Sequence, residues 1–231
     1  MRVTATFITS GAGAADFPRD GRPEVALVGR SNVGKSSLIN ALVRQRLART
    51  SAAPGKTRLA NIYRVARGGG QPFYLVDLPG FGYARGGAGA AREFEELTRA
   101  FFRQGRQEGR DSRPAAPAQI SALLLVDSRH PGLASDIGAW QWLHTAAERS
   151  GVVATKIDKL SRAERQRAIR QLEAVFEHPV LPVSAVTGEG LDELWILIDT
   201  LANPNRPSRR EPSHPSPQPL PKATAPRPPK K

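Results

Sequence analysis

The chain has 231 residues, 39% of them hydrophobic, and a formal net charge of +13, enough for one α/β domain of roughly 150–250 residues with extensions. It contains no cysteine, which excludes disulfides and cysteine-ligated zinc, and no run reaches the roughly 18–20 apolar residues that span a bilayer. No membrane partner is therefore expected. Met1–Asp16 lacks the apolar stretch of a signal peptide, and His130, His144, His178 and His214 are scattered without metal-ligand spacing. A basic balance favours a polyanionic partner, nucleic acid above all. Residues 204–231 hold seven of the cations against one Glu, so the rest of the chain is only moderately basic. Lysine is scarce, and outside residues 204–231 it occurs only at Lys35, Lys56, Lys156 and Lys159. A chain that otherwise writes its cations as Arg keeps Lys where a slim point charge is useful.

In chain order, residues 1–22 read as an extension packing on the domain. Pro23–Gly29 reads as a buried strand and Lys35–Leu47 as a helix. Asn61–Ala66 and Pro72–Asp77 read as two strands of a hairpin around Gly68, Gly69 and Gly70. Ala90–Arg110 is expected to be a helix, and Arg113–Ala118 a loop. Ile120–Asp127 is a continuous apolar run, as in a parallel strand buried on both faces. Ser135–Arg149 reads as a helix, Gly151–Thr155 as a strand, Ser161–Phe176 as a helix, Pro179–Ser184 as a strand and Leu191–Ala202 as a closing helix. This alternation predicts an α/β three-layer sandwich: a mostly parallel six-stranded sheet with one antiparallel strand and helices on both faces. The domain is expected over 23–203. Ten of the 28 residues from 204 onward are proline, so that tail is expected to be disordered.

Gly29-Arg30-Ser31-Asn32-Val33-Gly34-Lys35-Ser36 fits the phosphate-loop pattern G-x-x-x-x-G-K-[ST], placed after a strand and opening a helix. Its backbone N–H groups and the helix N-terminus suit an anion. Lys35 is expected to reach the β- and γ-phosphates, Ser36 to ligate magnesium, and Ser37 to lie beside them. Asp77-Leu78-Pro79-Gly80 ends the next buried strand. Asp77 is placed to hold magnesium and the Gly80 N–H to sense the γ-phosphate. Between them, Gly55, Lys56, Thr57, Arg58 and Leu59 form a candidate switch whose Thr57 hydroxyl can add to the magnesium. Thr155-Lys156-Ile157-Asp158 follows a later strand. Its Asp158 carboxylate only accepts hydrogen bonds, which matches the paired N–H donors of guanine and mismatches adenine. The Lys156 stem can lie along the base and ribose. Val183, Ser184 and Ala185 follow the last strand and offer backbone N–H to the guanine carbonyl. The five segments occur in one order, each at a strand end, and together point to GTP or GDP as ligand.

The runs PEVALVGRSNVGKSSLINAL at 23–42, LARTSAAPGKTRLANIY at 47–63, DLPGFGYA at 77–84, LLLVDSRHPGLASD at 123–136 and TKIDKLSRAER at 155–165 closely resemble the EngB (YihA/YsxC) family of bacterial GTPases. That family falls within the TrmE–Era–EngA–EngB–septin-like class. The likeness covers residues 5–202. It implies a cytoplasmic GTPase acting in assembly of the large ribosomal subunit and needed for normal division and septation. The tail, the Gly68–Gly70 turn and the Arg113–Ala118 loop look like additions, and Phe81 and Phe102 stand where family members often have tyrosine. Two other readings stay open: a G domain acting in another RNA-processing pathway, and a nucleotide-gated scaffold with little hydrolysis.

Many GTPases carry a water-orienting glutamine after the Asp-x-x-Gly glycine. Here Phe81 follows Gly80 and cannot bond to water, so slow intrinsic turnover is expected. Lys35, Thr57 and Gly80 are the candidate catalytic contributors. A partner, or potassium held with the help of Asn32, would supply the missing charge. Arg99, Arg103, Arg106 and Arg110 recur at helical spacing. They suit either a solvated face or ribosomal RNA phosphates. Trp140, Trp142 and Trp195 read as core, and the chain is expected to act as a monomer.

Overall fold

In a computed structural model of the chain, the described residues are 1–18, 20–48, 59–81, 96–103 and 119–203. Seven strands form one sheet: β1 (Val3–Gly11), β2 (Glu24–Gly29), β3 (Ala60–Arg67), β4 (Phe73–Asp77), β5 (Ile120–Asp127), β6 (Ser150–Thr155) and β7 (Val180–Pro182). The spatial order is β1-β3-β4-β2-β5-β6-β7. Only β3 runs against the rest, antiparallel to both β1 and β4. The helices are α1 (Lys35–Val43), a segment α2 at 96–103, α3 (Ala134–Ala146), α4 (Arg162–Phe176) and α5 (Leu191–Ala202).

The sheet has one strand more than expected. The N-terminal residues do not merely lie on the domain. They add β1 to the free edge of β3, in register from Val3 opposite Arg67 to Gly11 opposite Ala60, with an irregularity between Phe7 and Thr9. Their β-branched run, Val-Thr-Ala-Thr-Phe-Ile-Thr, suits a half-buried edge strand. The β3–β4 hairpin turns at Gly68 and Gly69, whose φ values of 58° and 77° are what a tight two-residue turn requires and what side-chain-bearing residues resist.

β2, β4 and β5 are buried along their whole length because helices cover both faces. One core cluster gathers Ala26, Val28, Leu124, Val126, Trp140 and Phe176; the other gathers Leu27, Leu38, Leu75, Leu125, Trp195 and Ile198. Trp140 and Trp195 are core residues, and Trp142 packs on the first cluster, partly buried. α1 ends at Val43, short of the expected Leu47. Arg44 adopts a left-handed conformation there, and the Asn40 side chain captures the N–H groups of Leu47 and Ala48 instead. α4 opens on a capping box between Ser161 and Glu164, which satisfies N–H groups that the first turn would leave unpaired. Of the arginine stripe, Arg99 and Arg103 are exposed on α2. Arg106, Arg110, the Arg113–Ala118 loop and the tail lie outside the described residues. No helix among the described residues is long and apolar enough to cross a membrane.

Candidate functional site

The C-terminal ends of β2, β4, β5, β6 and β7 share one edge of the sheet, where open α/β sheets place their ligands. The phosphate loop leaves β2 at Gly29. A Cβ there would lie 2.6 Å from the Leu125 carbonyl oxygen, so only glycine lets the loop start this close to β5. Asn32 and Gly34 take positive φ, 61° and 112°, and Gly34 caps α1. The buried Val33 anchors the loop in the core. Lys35 is also buried, its Nζ donating to the carbonyls of Gly29 (3.1 Å) and Arg30 (3.3 Å). Burial lowers its ammonium from the ordinary value, opposed by the Asp77 charge.

The turn after β4 is fastened to this loop. Ser31 N–H donates to the Phe81 carbonyl (3.0 Å), Phe81 N–H to the Gly29 carbonyl (3.3 Å), and Ser31 Oγ to the Gly80 carbonyl (3.2 Å). A Cβ on Gly80 would fall 2.6 Å from both Cα and N of Ser31. Leu78 N–H donates to the Leu27 carbonyl, and Leu78 and Pro79 are buried. Arg30 Nε lies 3.2 Å from Asp136 Oδ1 at the start of α3.

Ser36 Oγ donates to Asp77 Oδ2 at 2.8 Å, while the buried Asp77 Oδ1 has no hydrogen-bond partner among the described residues. Burial pushes the Asp77 carboxyl up, and Lys35 and Ser36 pull it down. A buried carboxylate with an orphaned oxygen, beside a hydroxyl at the mouth of a phosphate loop, is a donor set that fits a hard divalent cation such as magnesium.

At the other end, Thr155 Oγ1 donates to the carbonyls of Val33 (2.7 Å) and Val126 (3.1 Å), tying the β6 end to the phosphate loop. Lys156, with φ of 61°, donates from Nζ to the Asn32 carbonyl (2.5 Å) and to Asp127 Oδ2 (2.9 Å). Ile157 N–H donates to the Val183 carbonyl, and Val183 N–H to that of Ala154. Asp158 Oδ1 accepts from Ser184 Oγ at 2.7 Å. That bond, with Lys159 beside it, holds the carboxyl below its ordinary range despite burial, so it stays a pure acceptor. Ser184 Oγ accepts in turn from the N–H groups of Val186 and Thr187, shaping the loop after β7. Ser37 and Ala185 line one cleft of about 760 Å³.

Four of the five sequence segments thus meet at one edge. Of the fifth, Leu59 is exposed, and Gly55, Lys56, Thr57 and Arg58 lie outside the described residues. Sequence reasoning missed Asp127, Asp136 and the bridging role of Thr155. Asp127 and Asp136 lie in the quoted run 123–136, where a buried strand ending in Asp was the available signal.

A doubly covered, mostly parallel sheet, with a glycine-rich anion loop after β2 and a buried Asp, a Thr-Lys-x-Asp segment and a Ser-Ala turn at the ends of β4, β6 and β7, is the architecture of a P-loop GTPase. Residues 24–176 match the family described as 50S ribosome-binding GTPase. The probable GTP-binding protein EngB of Chlorobaculum tepidum is 40% identical over 202 residues, covering 86% of this chain and 97% of that protein. Its namesake from Solibacter usitatus is 42% identical over 199 residues, covering 86% and 96%. A crystal structure of a probable GTP-binding protein EngB superposes with a TM-score of 0.58 at 24% identity, covering 78% of this chain and 99% of that one. The chain belongs to the EngB family of GTP-binding proteins.

Proposed function

We propose that this GTPase is a magnesium-dependent switch acting in assembly of the large ribosomal subunit, with slow intrinsic hydrolysis. The observation that carries the nucleotide part is the convergence of Lys35, Ser36, Asp77, Gly80, Lys156, Asp158 and Ser184 at one sheet edge, with one buried oxygen of Asp77 unpaired among the described residues. In this reading residues 29–37 wrap the phosphates, and Lys35 neutralises the β- and γ-phosphates. Ser36, Asp77 and Thr57 hold magnesium. Bound there, it would neutralise charge on the phosphate oxygens. Asp158 accepts from the guanine edge, and the Val183–Ala185 turn meets the guanine carbonyl. The five residues from Gly55 to Leu59 act as the switch, and 23–203 is the GTP-binding unit, acting as a monomer.

Slow turnover is supported by Phe81. Its backbone is engaged by Gly29 and Ser31, and its side chain packs on the core, so it supplies no group to orient water. Stimulation then falls to a partner, worth roughly 10³–10⁵ in rate where an arginine is supplied, or to potassium held near Asn32. Faster turnover in KCl than in NaCl is the expected sign; equal rates in both salts discard the potassium role.

The ribosomal role is supported by the family description, by the net charge of +13 and by Arg99 and Arg103 exposed on α2. The role in division and septation, and a cytoplasmic location, follow as further parts of this proposal. Sedimentation with purified ribosomal subunits tests it. Comigration with the large subunit is expected in a non-hydrolysable GTP analogue and not in GDP. Migration indifferent to the nucleotide, or none, counts against the assembly role.

A further inference from the structure

Asp127 ends β5 directly opposite Thr155 of β6, so the sheet register brings it beside the next residue, Lys156. Its carboxylate is buried and held from two sides. Oδ1 accepts from the Arg129 N–H (3.1 Å) and Nε (2.9 Å), while Oδ2 accepts from Arg129 Nη2 (2.7 Å) and Lys156 Nζ (2.9 Å). Burial alone would raise this carboxyl; the Arg129 and Lys156 bonds more than offset it and hold it well below the usual carboxylate range. It is therefore a fixed, fully charged acceptor.

Lys156 needs such an acceptor. A lysine side chain held in one conformer gives up rotamer entropy, and its left-handed backbone adds strain. Its chain passes over the phosphate loop, with Cε 3.9 Å from where a Cβ of Gly34 would stand. The ammonium then has two acceptors, the neutral Asn32 carbonyl and the Asp127 carboxylate.

We propose that Asp127 is a positioning residue for nucleotide binding: by fixing Lys156 across the phosphate loop it sets the affinity for purine nucleotides without reading the base edge. The inference rests on the nucleotide-binding reading above. With the ammonium anchored, the methylene stem is already laid out as the apolar rail on which a base and ribose rest. Without Asp127, ordering that stem becomes part of the cost of binding.

The test is a double-mutant cycle on the full chain with fluorescent GDP and IDP. Asp127→Asn is expected to weaken both about tenfold, because Asp158 and not Lys156 senses the 2-amino group that separates them. Lys156→Ala should weaken both at least as much. The double variant should lose no more than Lys156→Ala alone, the mark of two residues acting as one unit. Thermal unfolding without nucleotide separates this from a general loss of structure, which would multiply the two effects. Should the asparagine variant not fold, Asp127→Glu, which keeps the charge but displaces it, carries the same cycle. Multiplying losses, no loss, or a loss confined to GDP overturns the role of Asp127. A wild-type protein that binds neither nucleotide overturns the reading beneath it as well.

Discussion

Asp136 is the acid whose burial has the most measurable consequence. It sits in the first turn of α3, 1% exposed, with Arg30 Nε 3.2 Å from Oδ1 as its charged neighbour. Burial pushes its carboxyl from 3.8 up to about 6; the Arg30 guanidinium pulls it down, and the Asp127 charge adds to the rise. A native acid with a raised pKa favours its protonated form. Its contribution to stability is fully present below the unfolded value of 3.8 and is lost as pH rises through about 6. At about 1.4 kcal/mol per pH unit, the ionised form costs the fold about 3 kcal/mol at pH 7 and roughly half that at pH 5. Asp136→Asn keeps the shape and removes the titration. The variant is expected to be more stable than wild type at pH 7, with a gap that narrows by roughly 1 kcal/mol at pH 5. Asp77, whose carboxyl is also raised by burial, is common to both proteins and cancels. Urea unfolding of the nucleotide-free chains at pH 5, 6 and 7 measures the gap. A gap that does not change with pH, or a variant less stable at pH 7, would refute the assignment of burial as the dominant influence on this carboxyl.

Three further outcomes are expected. Gly80→Ala places a methyl 2.6 Å from the Ser31 backbone, where neither side can yield, so it should separate the two loops and lower GTP turnover at least tenfold; unchanged single-turnover rates would contradict this. Asp158→Asn replaces one of the acceptor oxygens by a donor and should shift preference from GDP towards xanthosine diphosphate, read by competition binding. Thr155→Val strands the buried Val33 carbonyl and should lower stability by about 1–3 kcal/mol in urea titration.

Most of the architecture could be read from residue patterns because it is locally encoded. Ile120–Asp127 is apolar throughout and is buried throughout. Leu191–Ala202 and the Gly68–Gly70 turn stand where their periodicity and glycines place them. β1 escaped because its evidence is not local. It is an edge strand with most residues at least partly exposed, and its partner β3 lies far along the chain, so it shows neither a buried run nor a hairpin signal. The same limit applies to the site. Lys35, Asp77 and Asp158 were identifiable from motif spacing, but Asp136 against Arg30 and Thr155 against Val33 are pairings that only the folded sheet creates.

Phe81 shows how tertiary placement changes the meaning of a residue. In the sequence it is an absence, a phenylalanine where a water-orienting side chain could stand. In the fold its backbone extends the β4 turn into a parallel bridge with Arg30, while Ser31 and Gly29 exchange hydrogen bonds with it and the ring packs on the first core cluster. The glycine before it is fixed in kind by the same contact, since any side chain there would strike Ser31. The loop after β2 and the turn after β4 are therefore joined by backbone hydrogen bonds, by the Ser31 side chain and by the bridge between Arg30 and Phe81.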